Sequence, residues 1–175
     1  MKFTEIMKIE FTKSEMKDME EIFLLLRRCV DHMDTQGLEQ WTETYPDPGI
    51  IQEDIVRNIS FVGRRGMHIV CTAALDFIHH EEYRYIQWED TFAKAGYLHR
   101  FGIDPKYQGM GIGKQAMGFL ESYARKNNAA YLRFDTYSEN WRSIAFYEKL
   151  GYQKHGKIYL PKKSGPYYCY EKKMT

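Results

Sequence analysis

The chain has 175 residues, 43% of them hydrophobic and 15% aromatic, with a formal net charge of +1. That length and apolar content predict one domain, residues 1–175, able to bury a substantial core. A near-neutral chain without a long basic run gives no electrostatic case for nucleic acid. No run approaches about 18 apolar residues, so no membrane-spanning helix is expected. The charges Lys2, Glu5, Lys8 and Glu10 interrupt the apolar stretch a signal peptide needs. Cys29, Cys71 and Cys169 are odd in number and lack CxxC spacing, so reduced thiols and a cytoplasmic location are expected.

In chain order, Glu5 to Phe11 reads as a first strand, and Thr12 or Ser14 can cap the helix after it. Met16, Met19, Ile22, Phe23, Leu26 and Val30 then fall on one helix face, a core stripe. Gly37 stops that region, and Tyr45-Pro46-Asp47-Pro48-Gly49 is a turn before a short helix to about Asn58. Phe61 to Gly63 and Met67 to Leu75 read as two strands joined by Arg64-Arg65-Gly66. A buried strand from Tyr97 to Ile103 leaves through Asp104-Pro105. Next comes the loop Gln108-Gly109-Met110-Gly111-Ile112-Gly113, which opens directly into a helix with apolar Ala116, Phe119, Leu120 and Tyr123. Ala130 to Thr136 is a further strand, with Leu132, Phe134 and Thr136 on one face. Asn140 to Leu150 is a short helix ending at Gly151. Tyr152 to Leu160 and Tyr167 to Lys173 form a final antiparallel pair.

The glycine loop carries the first chemical signal. Glycines before a helix let backbone approach a ligand without interference from Cβ. The free amides of the first helical turn and the positive dipole end favour an anion, most simply phosphate. A Walker loop does not fit: Gln108 occupies its first glycine position and Gln115 the hydroxyl position. A dinucleotide fingerprint over Gly111, Gly113 and Ala116, with Asp135 as ribose acid, would have to follow its strand at once, and Asp104 to Met110 intervene.

Gln-x-x-Gly-x-Gly after a strand that ends in Asp-Pro resembles motif A of the Gcn5-related N-acetyltransferases. Asn140-Trp141-Arg142-Ser143-Ile144-Ala145-Phe146-Tyr147-Glu148-Lys149-Leu150-Gly151-Tyr152 resembles that family's motif B. The resemblance is close from Tyr97 to about His155 and elsewhere follows element order, β-α-α-β-β-β-α-β-α-β-β. It implies the α/β (α+β) acyl-CoA N-acyltransferase (GNAT) fold: a twisted, mixed but mostly antiparallel sheet with helices on both faces. It also implies transfer of an acetyl group from acetyl-CoA to an amine by direct attack in a ternary complex.

By the same resemblance, backbone amides of Gly109, Met110, Gly111, Ile112, Gly113 and Lys114, with Gln108 beside them, would hold the CoA pyrophosphate. Phe101 and Ile103 would pair with pantetheine through backbone left free by a splayed neighbour, and Asn140 would bond the same arm. Tyr147 would sit at the thioester sulfur, where a phenol of ordinary pKa about 10 can protonate the leaving thiolate. Asn140 also suits a helix N-cap, Tyr147 a packed aromatic, and Lys114 a solvated lysine. His99 alternates with Tyr97 and Phe101 along the strand, which puts the three on one face. It matches one of two histidines proposed for proton removal in arylalkylamine N-acetyltransferases, with Tyr97 at the other position. His99 is a candidate general base, with a glutamate, a water chain, or a plain core role for His99 as alternatives. His79-His80 has no third ligand in pattern, so no metal is assigned.

Asp31 to Asp54 holds seven carboxylates and no Lys or Arg, interleaved with Trp41 and Tyr45. His79 to Lys94 adds Glu81, Glu82, Glu89 and Asp90 with Tyr83, Tyr85 and Trp88. Together they suit a small cationic amine, by charge and by cation–π contact, or serve only as solvated loops. A catalytically silent acetyl-CoA sensor is the alternative function, and a homodimer is compatible with the sequence.

Overall fold

A computed structural model describes residues 8–175. Among these residues seven strands make one sheet in the order β1-β2-β3-β4-β5-β7-β6. They are β1 (Glu10–Lys13), β2 (Ser60–Arg65), β3 (His68–Asp76), β4 (Ala95–Ile103), β5 (Tyr131–Tyr137), β6 (Gln153–Ile158) and β7 (Tyr167–Lys173). The described residues also form four α-helices: α1 (Met19–Asp34), α2 (Pro48–Val56), α3 (Ile112–Lys126) and α4 (Trp141–Lys149). Every strand pairing is antiparallel except that of β4 with β5. This is the expected mixed sheet in the expected order. Among the described residues no helix is long and apolar enough to cross a membrane.

Alternation along the strands sorts the core. Leu75, Leu98, Leu132 and Phe134 pack with Met117 and Leu120 of α3 and Tyr147 of α4. On the other face Ile22, Leu25, Leu26 and Cys29 of α1 and Ile51 and Ile55 of α2 cover Val62 and Ile69. The α1 stripe is therefore shifted from the expected one: Leu25 and Cys29 are buried, while Met16 precedes the helix and is exposed. The three cysteines are buried free thiols, and burial pushes Cys29 and Cys71 up to about 12.

Two local expectations are corrected. The strand expected at Glu5 to Phe11 lies partly outside the described residues, and the observed strand runs from Glu10 to Lys13. Neither Thr12 nor Ser14 caps the following helix. Asp18 accepts from the Glu15 amide at 2.8 Å instead, Thr12 Oγ1 accepts from Arg64, and Ser14 Oγ is buried without a partner among the described residues. The other ends follow their signals. Asp47 accepts from Ile50 N ahead of Pro48 to start α2, and Gly151, at φ +87°, follows α4.

Two irregularities in β4 shape the site. The first is a bulge. His99 faces Ala74 but Gly102 faces Thr72, so β4 holds one residue more than β3 between these pairs. Arg100 sits there at φ +48°. The extra residue reverses the alternation, so Phe101 packs toward α3 and α4, with Ile112 and Ala116, instead of beside His99. The shared face expected for Tyr97, His99 and Phe101 holds only for Tyr97 and His99. The second irregularity is a splay. β4 and β5 pair only through Ala95–Tyr131, Gly96–Leu132 and Tyr97–Arg133, and then diverge.

Candidate active site

The glycine loop lies where β4 has left β5. Gly109 and Gly111 adopt φ of +78° and +80°, the left-handed region that favours glycine. A Cβ on either would meet nothing within 4 Å, so the loop's outer side is open space. Gly111 is the N-cap of α3 and has no side chain to cap the first amides. The amides of Ile112, Gly113 and Lys114 therefore point out of the helix toward that space. The Ile112 side chain is buried, and Lys114 and Met110 are exposed. Gly113 is buried for another reason: a Cβ there would meet Ile103 and Phe146 at 3.0 Å. Gln108 turns away from the loop, its Nε2 donating to the Ile103 carbonyl at 3.2 Å. Cys29 Sγ donates to the same carbonyl.

At the splay is a cavity of about 700 Å³, walled by Gln40 to Tyr45, α2, His80 to Tyr83, and Leu160 to Lys163. Tyr147 reaches it from α4, His99 and Phe101 from β4, and Asp135 from β5. Tyr147 packs on Phe134 at 4.3 Å between centroids and is 8% exposed. Burial, with the nearby charge of Asp135, raises its phenol pKa, so its hydroxyl keeps the proton. Asn140 has both roles of an N-cap at this edge. Its Oδ1 accepts from Ser143 N, and its Nδ2 donates to Gln40 Oε1 at 2.7 Å. Gln40 is fastened further through its carbonyl, which accepts from Lys163 Nζ at 3.0 Å and Tyr167 Oη at 3.1 Å. The α1–α2 and β6–β7 connections are thus bridged over the cavity.

Asp135 is a carboxylate that enters the cavity from β5. Its carboxylate accepts from Tyr83 Oη at 2.5 Å and meets no cation at ion-pair distance among the described residues. Burial raises its pKa against the pull of that hydrogen bond. The sequence reading named Asp135 only as a ribose acid. Its neighbours at the same alternation, Tyr131, Arg133 and Tyr137, are all buried, so nothing in the spacing marks it as cavity-facing. The loop that brings Tyr83 over it is pinned by Arg133, which is fully buried. Its guanidinium donates to Glu171 at 2.6 Å and to the Asp90 carbonyl at 2.6 Å, and lies over Trp88.

His99 meets Asp76 and His80. His80 Nε2 lies 3.2 Å from both Asp76 oxygens. His99 Nε2 is 3.8 Å from Asp76 Oδ1, too long for a hydrogen bond, and the two imidazoles are 4.5 Å apart. Burial would raise the pKa of Asp76. The His80 hydrogen bond and the charge of His99 outweigh that and hold the carboxyl well below the usual range.

The acidity expected of the segments Asp31 to Asp54 and His79 to Lys94 is only partly present in the cavity. Glu53, Asp54 and Glu82 line it with Asp76 and Asp135, but so do Arg57, Arg100, Lys162 and Lys163. Arg100 grips Asp54 with two nitrogens at 2.6 and 2.7 Å, and Arg57 reaches Glu53 at 3.6 Å and Asp76 at 3.4 Å. Of the five carboxylates, Asp135 and Glu82 are left without an ion pair among the described residues. Tyr85 is exposed and Trp88 is buried under Arg133, so neither lines the cavity.

Residues 26–152 match the model of the acetyltransferase (GNAT) family. The chain belongs to that family. It is an acyltransferase whose acetyl donor is acetyl-CoA. Over 161 residues it is 22% identical to the uncharacterized N-acetyltransferase YesJ of Bacillus subtilis, covering 91% of this chain and 87% of the relative. A shorter match, 37% over 59 residues, covers 34% of this chain and 35% of the N-alpha-acetyltransferase RimI of Mycobacterium tuberculosis. Among solved structures, a GNAT-family acetyltransferase of Streptococcus agalactiae superposes with a TM-score of 0.84 at 24% identity, covering 98% of both chains. PaiA N-acetyltransferase of Thermoplasma acidophilum, solved in complex with coenzyme A, gives 0.72 at 18% identity over 95% of this chain and 98% of that one. These two likenesses show the fold.

Proposed function

We propose that this acetyltransferase acts on a primary amine of a small molecule, by direct attack on acetyl-CoA with both substrates bound. The pyrophosphate would rest on the amides from Gly109 to Lys114 and pantetheine in the gap between β4 and β5, alongside Phe101, Ile103 and Asn140. A thioester is already activated, so positioning and proton management suffice, without a covalent enzyme intermediate. The C–N bond forms as the C–S bond breaks; the amine's proton goes to Asp135, and Tyr147 protonates the departing thiolate. His99 also faces the cavity, but it is clustered with Asp76 and His80, whereas among the described residues the Asp135 carboxylate has only the Tyr83 hydroxyl as hydrogen-bond partner. An ammonium group would find Asp135 and Glu82 as anions, with the aromatic faces of Trp41, Tyr45 and Tyr83 around it.

The observation that carries a small acceptor is the Gln40 bridge. The two connections between which a chain end would enter are tied by Lys163, Tyr167 and Asn140. The test is acetylation, followed by mass spectrometry, of polyamines, arylalkylamines, aminoglycosides and peptides with a free N-terminus. Turnover of a small amine, with peptides left unmodified, is the expected result. Acetylation confined to peptides overturns it.

A further inference from the structure

We propose that Asp76, His80 and His99 form a three-ligand site for a borderline divalent ion such as Zn²⁺, opening onto the acceptor cavity. One ligand atom from each lies within 4.8 Å of the others. From Asp76 Oδ1 the Nε2 atoms of His80 and His99 are 3.2 and 3.8 Å away. A tetrahedral zinc ion with bonds of about 2.0–2.2 Å sets its ligand atoms roughly 3.3–3.6 Å apart, so both distances from Asp76 lie within a few tenths of an ångström of that spacing. His99 Nε2 is buried and has no hydrogen-bond partner among the described residues. An unpaired buried nitrogen is costly, and an ion between it and Asp76 would satisfy it.

The elements hold the three groups there. Asp76 ends β3 and faces Tyr97 across the ladder, and Ala74 faces His99, which sets carboxylate and imidazole on one side of the sheet. His80 returns four residues after Asp76 and packs edge-on against Tyr97 and Tyr83. Arg57 donates to Asp76 Oδ2 and Ile78 N to Oδ1, which fixes the carboxylate as partners of metal ligands commonly do. All three residues line the cavity, so a fourth position is left for water or for an acceptor's donor atom. The site stands on these side chains alone. Its effect on the reaction rests on the acceptor reading: a bound ion would exclude an ammonium group and so compete with the amine.

The test titrates Zn²⁺ into untagged, chelator-treated protein without coenzyme, by calorimetry. One ion per chain is expected, with affinity reduced roughly 100-fold or more in both His80→Gln and His99→Gln and unchanged in His79→Gln. Co²⁺ should give the visible absorption of a four- or five-coordinate site in the parent protein. No stoichiometric binding by the parent protein, which needs no variant to fold, overturns the site. Binding that survives both substitutions in variants with a native circular dichroism spectrum does the same. Zinc bound one to one without competing against the amine keeps the site and removes the acceptor from this cavity. Amine turnover without zinc binding does the reverse.

Discussion

Burial raises the pKa of Asp135 while Tyr83 opposes it, and a raised carboxyl affects stability and rate in opposite directions. Because the folded chain binds this proton more tightly than the unfolded one, ionised Asp135 weakens the fold. The deficit is fully present above the folded-state pKa and disappears as pH falls below the unfolded value. Asp135→Asn keeps an acceptor for Tyr83 and removes the charge. It should raise Tm at pH 7 while lowering kcat/KM by about 10²-fold or more, and the acidic limb of the pH–kcat/KM profile should go with it. A lower Tm together with an intact limb would remove Asp135 from the role of base. Tyr147→Phe retains the packing on Phe134 and deletes only a hydroxyl. A kcat about 10²-fold lower, with coenzyme A affinity within about 2-fold, is expected from steady-state kinetics and calorimetry. Tyr147 and Asn140 entered the reading through the motif resemblance, which marks both ends of one short helix. Asp135, on a strand whose same-side neighbours are buried, had no such mark.

At the scale of elements, the glycine loop separates two kinds of glycine. Gly111 needs its positive φ and borders open space, so Gly111→Leu should cost the fold about 1–2 kcal/mol of backbone strain. The same substitution should greatly raise the Kd for acetyl-CoA, as titration would read; undiminished affinity would count against a phosphate on these amides. The start of α3 could be read from the glycines, since few residues accept that conformation. The β4 bulge could not. Arg100, at φ +48°, is held by its fork on Asp54, a long-range pairing that no local pattern announces. Arg100→Met should lower stability by about 3 kcal/mol in urea melts, because it leaves the Asp54 carboxylate buried without its partner. The two acidic segments both wall the cavity, but its charge could not be read from them, since Arg57 and Arg100 come from outside them.

For the whole molecule, the order of elements followed from hydrophobic periodicity and the turn residues, and the family assignment bears the fold out. The splay between β4 and β5 entered only through the resemblance. It depends on how two strands diverge after Tyr97, which neither strand encodes alone. Acetyl-CoA at about 100-fold its Kd should stabilise the fold by about 2.7 kcal/mol. Hydrogen exchange should slow from Leu98 to Ile103 and from Gly109 to Lys114; protection confined to other segments would argue for a different coenzyme position.

The halves β1–β4 and β5–β7 touch edge to edge over three residue pairs only. A pantetheine arm wedged into that fork would serve as a borrowed strand and supply the missing floor beneath the acceptor. The vessel for the amine is then incomplete until the donor has docked, so turnover should follow a compulsory order, coenzyme before amine.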